Sequence, residues 1–446
     1  MFKQLCIISV FLFSALLASA QGLFESTSQG AVKNSVQLNG YVRGSAWGLN
    51  DGYDYATVFG EFSLRSSYSS GKAFLYSDAR IRSGSAFNED FLVVELKEAF
   101  AAYRSAYIDI TLGQQIATWG RTDGFNPTNN ITPNNYFFLT ANPDDQKLSN
   151  ILLKTDIRLA PQINWELIAI PLFKPSGYRY DLFNYSENVT YADAVLPSSS
   201  FENGTFATRL SVELPAVGFS FSWFSGYDPF YGFNVEEVSW ANGSPAITNR
   251  PSFYKKNSLG FDMAIPVKSL IFRAEIAVNL TDNYKNQMHI PNPDIAAVLA
   301  LETNMAGFVS IFQYIGKHTI DYETLKEPKL SGAPDQLAML QFANDQIEYE
   351  SALFNRKIFH QQEEWNHAVS LTISRSLAHN TLDLELTGFY DITSEESLIR
   401  PKIVWNAADA LKISVGGQLM SGKDKTVFYH ASKIMNGVFL ELKTNF

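Results

Sequence analysis

The sequence predicts an all-β protein: a transmembrane antiparallel up-and-down β-barrel of about eighteen strands, with sixteen as the alternative count. Three observations lead there. Segments alternating apolar and polar side chains with period two recur along the whole chain, and that period puts successive side chains on opposite faces of a strand. The connections sort by parity, tight after even-numbered segments and mostly long after odd-numbered ones. The chain also opens on a leader-like stretch and closes on an alternating segment that stops at Phe446. A soluble sandwich has no reason to sort its loops by parity, whereas a membrane barrel carries short turns on one side and longer loops on the other.

In chain order, Lys3 precedes an apolar run over residues 5–17 and the small triplet Ala18-Ser19-Ala20. Residues 1–20 are therefore expected to be a cleaved signal peptide, the run being too short for a membrane-spanning helix. Cys6, the single cysteine, lies inside it, so the mature chain is expected to form neither disulfides nor thiolate metal sites. Removing the leader leaves 446 minus 20, or 426 residues, with 34 basic and 45 acidic side chains and a formal charge of −11. That balance argues against a nucleic-acid partner. No linker or composition break divides residues 21–446, which are expected to be a single barrel domain.

Strands are expected to begin near Ser35, Ala56, Lys72, Val93, Ala106, Ile151, Gln162, Thr205, Val217, Lys256, Ser269, Ile295, Gly307, Asn366, Asn380, Ser397, Leu411 and Ile434. The tight links are Ser69-Ser70-Gly71, Arg104-Ser105, Ala160-Pro161, Pro215-Ala216, Pro266-Val267-Lys268, Met305-Ala306, Ala378-His379 and Ala407-Ala408-Asp409. The long links are residues 120–150, 173–204, 227–254, 281–294 and 321–365. In the last segment Val438, Leu440, Leu442 and Phe446 share one face, and Gly437, Glu441, Lys443 and Asn445 the other.

Alternation also proposes the inward side chains. Asp78, Arg80 and Arg82 repeat every second residue, as do Lys154, Asp156 and Arg158. Between residues 106 and 119, Ile108, Ile110, Leu112 and Ile116 oppose Asp109, Thr111, Gly113 and Gln115. The inward basic set is Arg43, Arg65, Arg80, Arg82, Arg158, Arg273, Arg375, Arg400 and Lys402, and the inward acids include Glu61, Asp78, Asp109, Asp156, Glu275 and Glu385. Opposed charges across a lumen create a transverse field. The alternative is that most of them pair across neighbouring strands within the wall.

Two loops stand out. Residues 120–150 hold Arg121, Asp123, Asp144, Asp145 and Lys147, stiffened by Pro127, Pro133 and Pro143, and are a candidate constriction or else a surface lid. Residues 321–365 contain a stretch in which Leu337, Leu340, Asn344, Ile347 and Leu353 fall near one helical face. This predicts a short helix over or inside the lumen, or an external loop with no part in gating.

Enzyme readings find no G-x-S-x-G elbow, H-E-x-x-H helix or phosphate-binding loop. The six histidines are scattered; only His360 and His367, with Glu363 and Glu364 between them, form a cluster, and solvated residues after a long loop account for it better than a metal does. No cofactor, metal or catalytic residue is expected.

The terminal segment resembles the closing strand of bacterial outer-membrane barrels. The block Leu112-Gly113-Gln114-Gln115 through Trp119-Gly120-Arg121, the loop up to Asp144-Asp145-Gln146, and Leu398-Ile399-Arg400-Pro401-Lys402 leading to the tail are similar to porin-like outer-membrane proteins of the alginate-export type and their uncharacterised relatives. The resemblance covers about a third of the chain. It implies a monomeric barrel in the outer membrane that passes small polar solutes, has membrane lipid around it and engages the barrel-assembly machinery through the strand ending at Phe446. A cationic lining, as an alginate exporter would need, is not evident in the mixed-sign inward set, so alginate is not carried over. The rival readings are a carrier of hydrophobic compounds, a surface adhesin or structural barrel with a closed pore, and a barrel enzyme.

Overall fold

In the computed structural model, which describes residues 36–48, 55–183, 188–241, 244–330 and 335–446, the alternating segments pair edge to edge. The expected signal peptide lies outside the described residues. In chain order the strands are β1 (Val36–Gly48), β2 (Tyr55–Ser70), β3 (Ala73–Ala86), β4 (Glu89–Arg104), β5 (Ile108–Gln115), β6 (Asn150–Ala160), β7 (Ile163–Ile170), β8 (Val189–Tyr191), β9 (Thr205–Glu213), β10 (Gly218–Tyr227), β11 (Gly232–Ala241), β12 (Ser244–Ser252), β13 (Lys255–Val267), β14 (Leu270–Thr281), β15 (Asp294–Met305), β16 (Phe308–Thr319), β17 (Trp365–Leu377), β18 (Leu382–Asp391), β19 (Glu396–Asn406), β20 (Leu411–Ser421) and β21 (Gly437–Asn445). All except β8, β11 and β12 belong to one 18-stranded sheet. Each wall strand pairs antiparallel with its neighbours in sequence, and β1 pairs with both β2 and β21, which closes the sheet into a barrel and leaves no free edge.

The parity of the links survives in three dimensions. The turn between β15 and β16 is Ala306-Gly307, with φ of 54° and 80°. Two consecutive positive φ values twist a two-residue turn in the sense that matches the strands it joins. The long connections gather at the other end. There β11 pairs antiparallel with β12, and β12 pairs in parallel with β8, to make a small sheet of loop segments. A helix α1 (Gln336–Ile358) packs on β11, and a second helix α2 (Val427–Met435) lies against β20.

Outward positions are apolar. Leu38, Phe62, Leu64, Leu75, Ile81, Leu92 and Val94 are all exposed, while alternate positions such as Arg43, Glu61, Ser63 and Asp78 are buried. In a closed wall every backbone donor and acceptor pairs between strands, so an apolar outer face is compatible with a bilayer.

Four expectations need correcting. The fourth wall strand begins at Glu89, four residues before Val93, because Phe87 and Asn88 (φ 51° and 66°) make a two-residue turn that lets pairing start at once. The segment near Ala106 ends at Gln115: Gly113 adopts φ 138° and the Glu98 carboxylate accepts from the Ile116 amide, turning the chain away from the wall. Ile434 does not open the last strand. It is buried in α2, which is capped by the Thr426 hydroxyl accepting from the Tyr429 amide, and β21 starts at Gly437. The three-stranded loop sheet has no counterpart in the expected strands.

The closing strand ends as expected, with Phe446 outward. Its amide donates to the Gly40 carbonyl (3.0 Å), its own carbonyl accepts from the Gly40 amide (2.9 Å), and its ring stacks on Phe62 with centroids 5.8 Å apart. Gly40 leaves room for that ring, since a Cβ there would come within 2.7 Å of Phe446 Cζ. Deleting Phe446 is expected to reduce the heat-modifiable folded form severely. Normal accumulation of folded barrel would remove Phe446 from any role in assembly.

Candidate functional site

The inward side chains of β1 to β4 and β21 form an ionic cluster. Alternation brings them to one face, and the antiparallel register sets Arg43 opposite Glu61 and Lys443, Glu61 opposite Arg82, and Arg65 opposite Asp78. Arg43, 1% exposed, lies 2.8 Å from Glu61, 2.6 Å from Asp145 and 3.5 Å from Glu441. Arg82 reaches Glu61 at 2.6 Å and Glu95 at 3.2 Å, and its guanidinium sits 4.0 Å from the Phe138 ring centroid. Asp78 takes Arg80 at 2.7 Å, Arg65 at 3.3 Å and the Ser63 hydroxyl at 2.8 Å. Tyr41 donates to Glu61 at 2.7 Å.

A second cluster stands on β9, β10, β13 and β14. Going round the ring in either direction, β13 is nine strands from β1, so the two clusters face each other across the interior. Asp262 lies 3.2 Å from Arg209 and also accepts from the Ser220 hydroxyl. Glu275 is fully buried. Arg273 pairs with Glu302.

Residues 116–149 join the two clusters. Near the start of this connection Arg121 donates to Asp262 at 2.5 Å and pairs with Glu213. Glu275 accepts from the Arg121 and Thr122 amides and from the Thr122 and Thr128 hydroxyls (2.8 and 3.0 Å). Asp123 pairs with Arg273 at 2.9 Å, and Phe125 stacks on Phe389 of β18 at 5.0 Å. Toward the end of the connection, Asp145 meets Arg43, Lys97 donates to the Asp145 and Lys147 carbonyls, and Arg400 of β19 donates to the Thr140 carbonyl at 2.8 Å. Apolar contacts hold both halves. Trp119 and Ile131 pack on inward Leu152, Ile168 and Phe224, and Phe137, Leu139 and Ala141 pack with Trp47 and Phe439. A segment fixed to opposite walls runs across the interior.

Burial alone would raise the Asp145 carboxyl; the Arg43 guanidinium overrides it and holds the group below the ordinary carboxylate value. Because the folded value is depressed, this anchor contributes fully above the ordinary carboxyl range and is lost as pH falls through the folded value. Acidification below that range is expected to loosen the end of the loop, read as faster hydrogen exchange over residues 141–149. Asp145→Asn should show the same faster exchange at neutral pH.

The expected inward residues divide into three groups. Arg43, Arg65, Asp78, Arg80, Arg82, Arg273 and Glu275 belong to the two clusters, as do Arg121, Asp123 and Asp145 of the loop. Others follow the alternative of pairing within the wall: Arg158 with Asp109, Asp156 with Lys154 at 3.4 Å, and Lys402 with Glu385 at 2.7 Å. Among the described residues, Asp144 bonds locally, to Lys147 at 2.8 Å. Arg375 is a correction. Its neighbour Ser374 lies opposite inward Glu385, so Arg375 faces outward, with its guanidinium 4.5 Å from the Phe308 ring centroid. Asp262, Arg209, Glu213, Lys97, Glu441 and Lys443 are inward charges beyond the expected set. Alternation placed Glu441 and Lys443 on the right face, and the same period would reach Asp262 and Arg209. Lys97 is hidden from it, because the register shifts opposite Asp78 and Ala79.

No family model matches the sequence, and no curated protein matches it. Among solved structures, the barrel is similar to OccAB3 of Acinetobacter baumannii (TM-score 0.53, 9% identity, 92% of this chain and 99% of that one). It is similar to OccK3 (OpdO) of Pseudomonas aeruginosa (0.53, 9%, 92% and 96%) and to the outer membrane protein OpdK of Pseudomonas aeruginosa (0.53, 8%, 92% and 99%). At these identities the likeness establishes the shared barrel fold.

Proposed function

We propose that this chain is a porin-like channel of the bacterial outer membrane, exported through the leader at residues 1–20, which lets small polar solutes diffuse passively through a monomeric barrel. The observation that carries the reading is a closed wall, apolar outside and ionic inside, whose interior is crossed by a loop tied to both sides. Eighteen strands enclose more space than wall side chains alone fill. Passage through it would be set by the side chains the loop leaves facing the remaining gap.

In this reading Arg43, Arg65, Asp78, Arg80, Arg82, Arg273, Glu275 and Arg400 line the path, with Asp109, Asp156, Arg158 and Lys402 nearer its ends. Arg121, Asp123 and Asp145 hold the constriction, which Asp144 borders. The β13–β14 side carries Asp262, Glu275, Asp123, Glu213 and Glu302 against Arg121, Arg209 and Arg273. The β1–β4 and β21 side is balanced, with Arg43, Arg65, Arg80, Arg82, Lys97 and Lys443 against Glu61, Asp78, Glu95, Glu98, Glu441 and the loop's Asp145. A surplus of carboxylates facing a balanced wall sets a field across the path that favours dipolar solutes over apolar ones. An apolar lumen, suited to hydrophobic compounds, is not what these residues favour. The shared fold speaks for a porin-like barrel and not for the alginate-export type, and the mixed signs disfavour a polyanionic cargo. Membrane lipid surrounds the wall, and β21 with Phe446 is the segment offered to the assembly machinery.

Planar-bilayer recording on the refolded chain from Gln21 onward tests this. Stable unitary openings are expected. Silence from preparations shown to be folded by heat modifiability would reject the channel and favour a closed barrel acting through its loops.

A further inference from the structure

Outside the barrel wall, between the loop sheet, α1 and α2, lies a cavity of about 340 Å³, the size range of small-molecule sites. Its walls are mostly apolar and aromatic: Tyr191 and Ile247 on the loop sheet, Phe233 on β11, and Ile347 and Phe354 on α1. The protein's own contacts hold the arrangement in place. Asn355, buried, donates to the Phe233 carbonyl and accepts from the Phe233 amide, both at 2.8 Å, and Phe354 packs on Phe233 with centroids 5.4 Å apart. Tyr180 supports the far side against Tyr191 and Phe233 at 4.6 and 5.3 Å.

The polar lining is uneven. Lys357 and Lys425 both border the cavity; Lys357 donates to the Lys425 carbonyl at 2.8 Å, and the Lys425 ammonium comes no closer than 3.9 Å to Glu350. Glu350, which also borders the cavity, accepts from Gln346 at 3.3 Å, so the lining sets two ammonium groups and His430 against one carboxylate. The Asn249 side-chain oxygen, also at the cavity, is buried with no hydrogen-bond partner among the described residues, and an acceptor left in that state costs free energy until a donor reaches it. Burial lowers the Lys357 ammonium and the His430 imidazolium from their ordinary values, a cost that a bound anion would offset.

We propose that this cavity is a ligand site at the long-loop end of the barrel, taking a small molecule with a flat apolar body and one anionic group. The body stacks among Tyr191, Phe233 and Phe354, and the anion lies against Lys357 and Lys425. The site is separate from the ionic interior and stands whether or not the barrel conducts.

The test uses the refolded chain and 2-naphthoate as probe, followed by calorimetry, with neutral 2-naphthylmethanol alongside. Naphthoate is expected to bind the unaltered protein. Lys357→Gln with Lys425→Gln should weaken it at least about tenfold, the loss of one favourable charge contact of about 1.4 kcal/mol, with little effect on the alcohol. Phe354→Ala should weaken both probes, and Arg82→Gln, in the lumen, neither. Heat modifiability confirms that each variant folds. Absence of naphthoate binding, equal binding to the double lysine variant, or loss with Arg82→Gln alone would each overturn the site. Conductance recorded on the same preparations separates this outcome from failure of the channel reading.

Discussion

Replacing residues 119–148 with a short Gly-Ser link should raise single-channel conductance several-fold and abolish any preference among small solutes. Those residues hold Trp119, Arg121, Phe125, Phe137 and Asp145, the groups that fasten the loop to both sides of the interior. Removing them leaves the wall pairing of β5 with β6 untouched, so the barrel should still assemble. The expected size follows from the geometry: a segment spanning from β13 to β1 takes up the middle of the interior, where the lumen would otherwise be widest. A milder form of the experiment is Glu275→Ala. It strips the acceptor from two amides and two hydroxyls of residues 121–128, and each such donor left buried without a partner costs about 1–3 kcal/mol. That variant should conduct with large, rapid fluctuations as the loop detaches. Unchanged conductance in the deletion would mean that the loop does not restrict passage, and the constriction would have to be sought elsewhere.

The second large effect is on ion preference. Arg80→Glu together with Arg82→Glu should shift the reversal potential in a salt gradient strongly toward cations. The two arginines face Asp78, Glu61 and Glu95, so the exchange turns a nearly balanced cluster into a run of carboxylates. Like charges at these distances also destabilise, and a lower yield of folded barrel is expected. For that reason the measurement is made on heat-modifiable material, with Arg80→Gln and Arg82→Gln as the control that removes charge without adding it. The control should shift the potential in the same direction by a smaller amount. Reversal potentials equal to the unaltered protein in both would place these side chains outside the conduction path.

How much of this was legible beforehand differs by residue. Arg43, Asp78 and Arg80 could be assigned to the inner face because strand period is a local property: every second side chain shares a face, whatever the partner strand contributes. The same rule failed at Arg375, where Ser374 holds the inward position opposite Glu385 and Arg375 the outward one opposite Leu384. It could not reach Lys97 either, beside a register shift that no single strand records. For the loop, sequence showed charges and prolines but not direction. Its inward course rests on Arg121 meeting Asp262 and Asp145 meeting Arg43, pairs separated by 141 and 102 residues. Helix α1 was anticipated from its apolar spacing, but its seat was not, because the contact that fixes it joins Asn355 to Phe233 across 122 residues.

Alternation and loop parity thus determined by themselves an antiparallel barrel of sixteen or eighteen strands with a polar interior, since each depends on residues close in sequence or on the two-sidedness of a sheet; ring closure settled the count at eighteen. Tertiary structure alone decided which charges meet across the interior, which loop crosses it, and that the remaining loops build an aromatic cavity above. Those outcomes depend on ring closure, which brings β13 opposite β1 and gathers distant loops at one end, and closure is a property of all eighteen strands together.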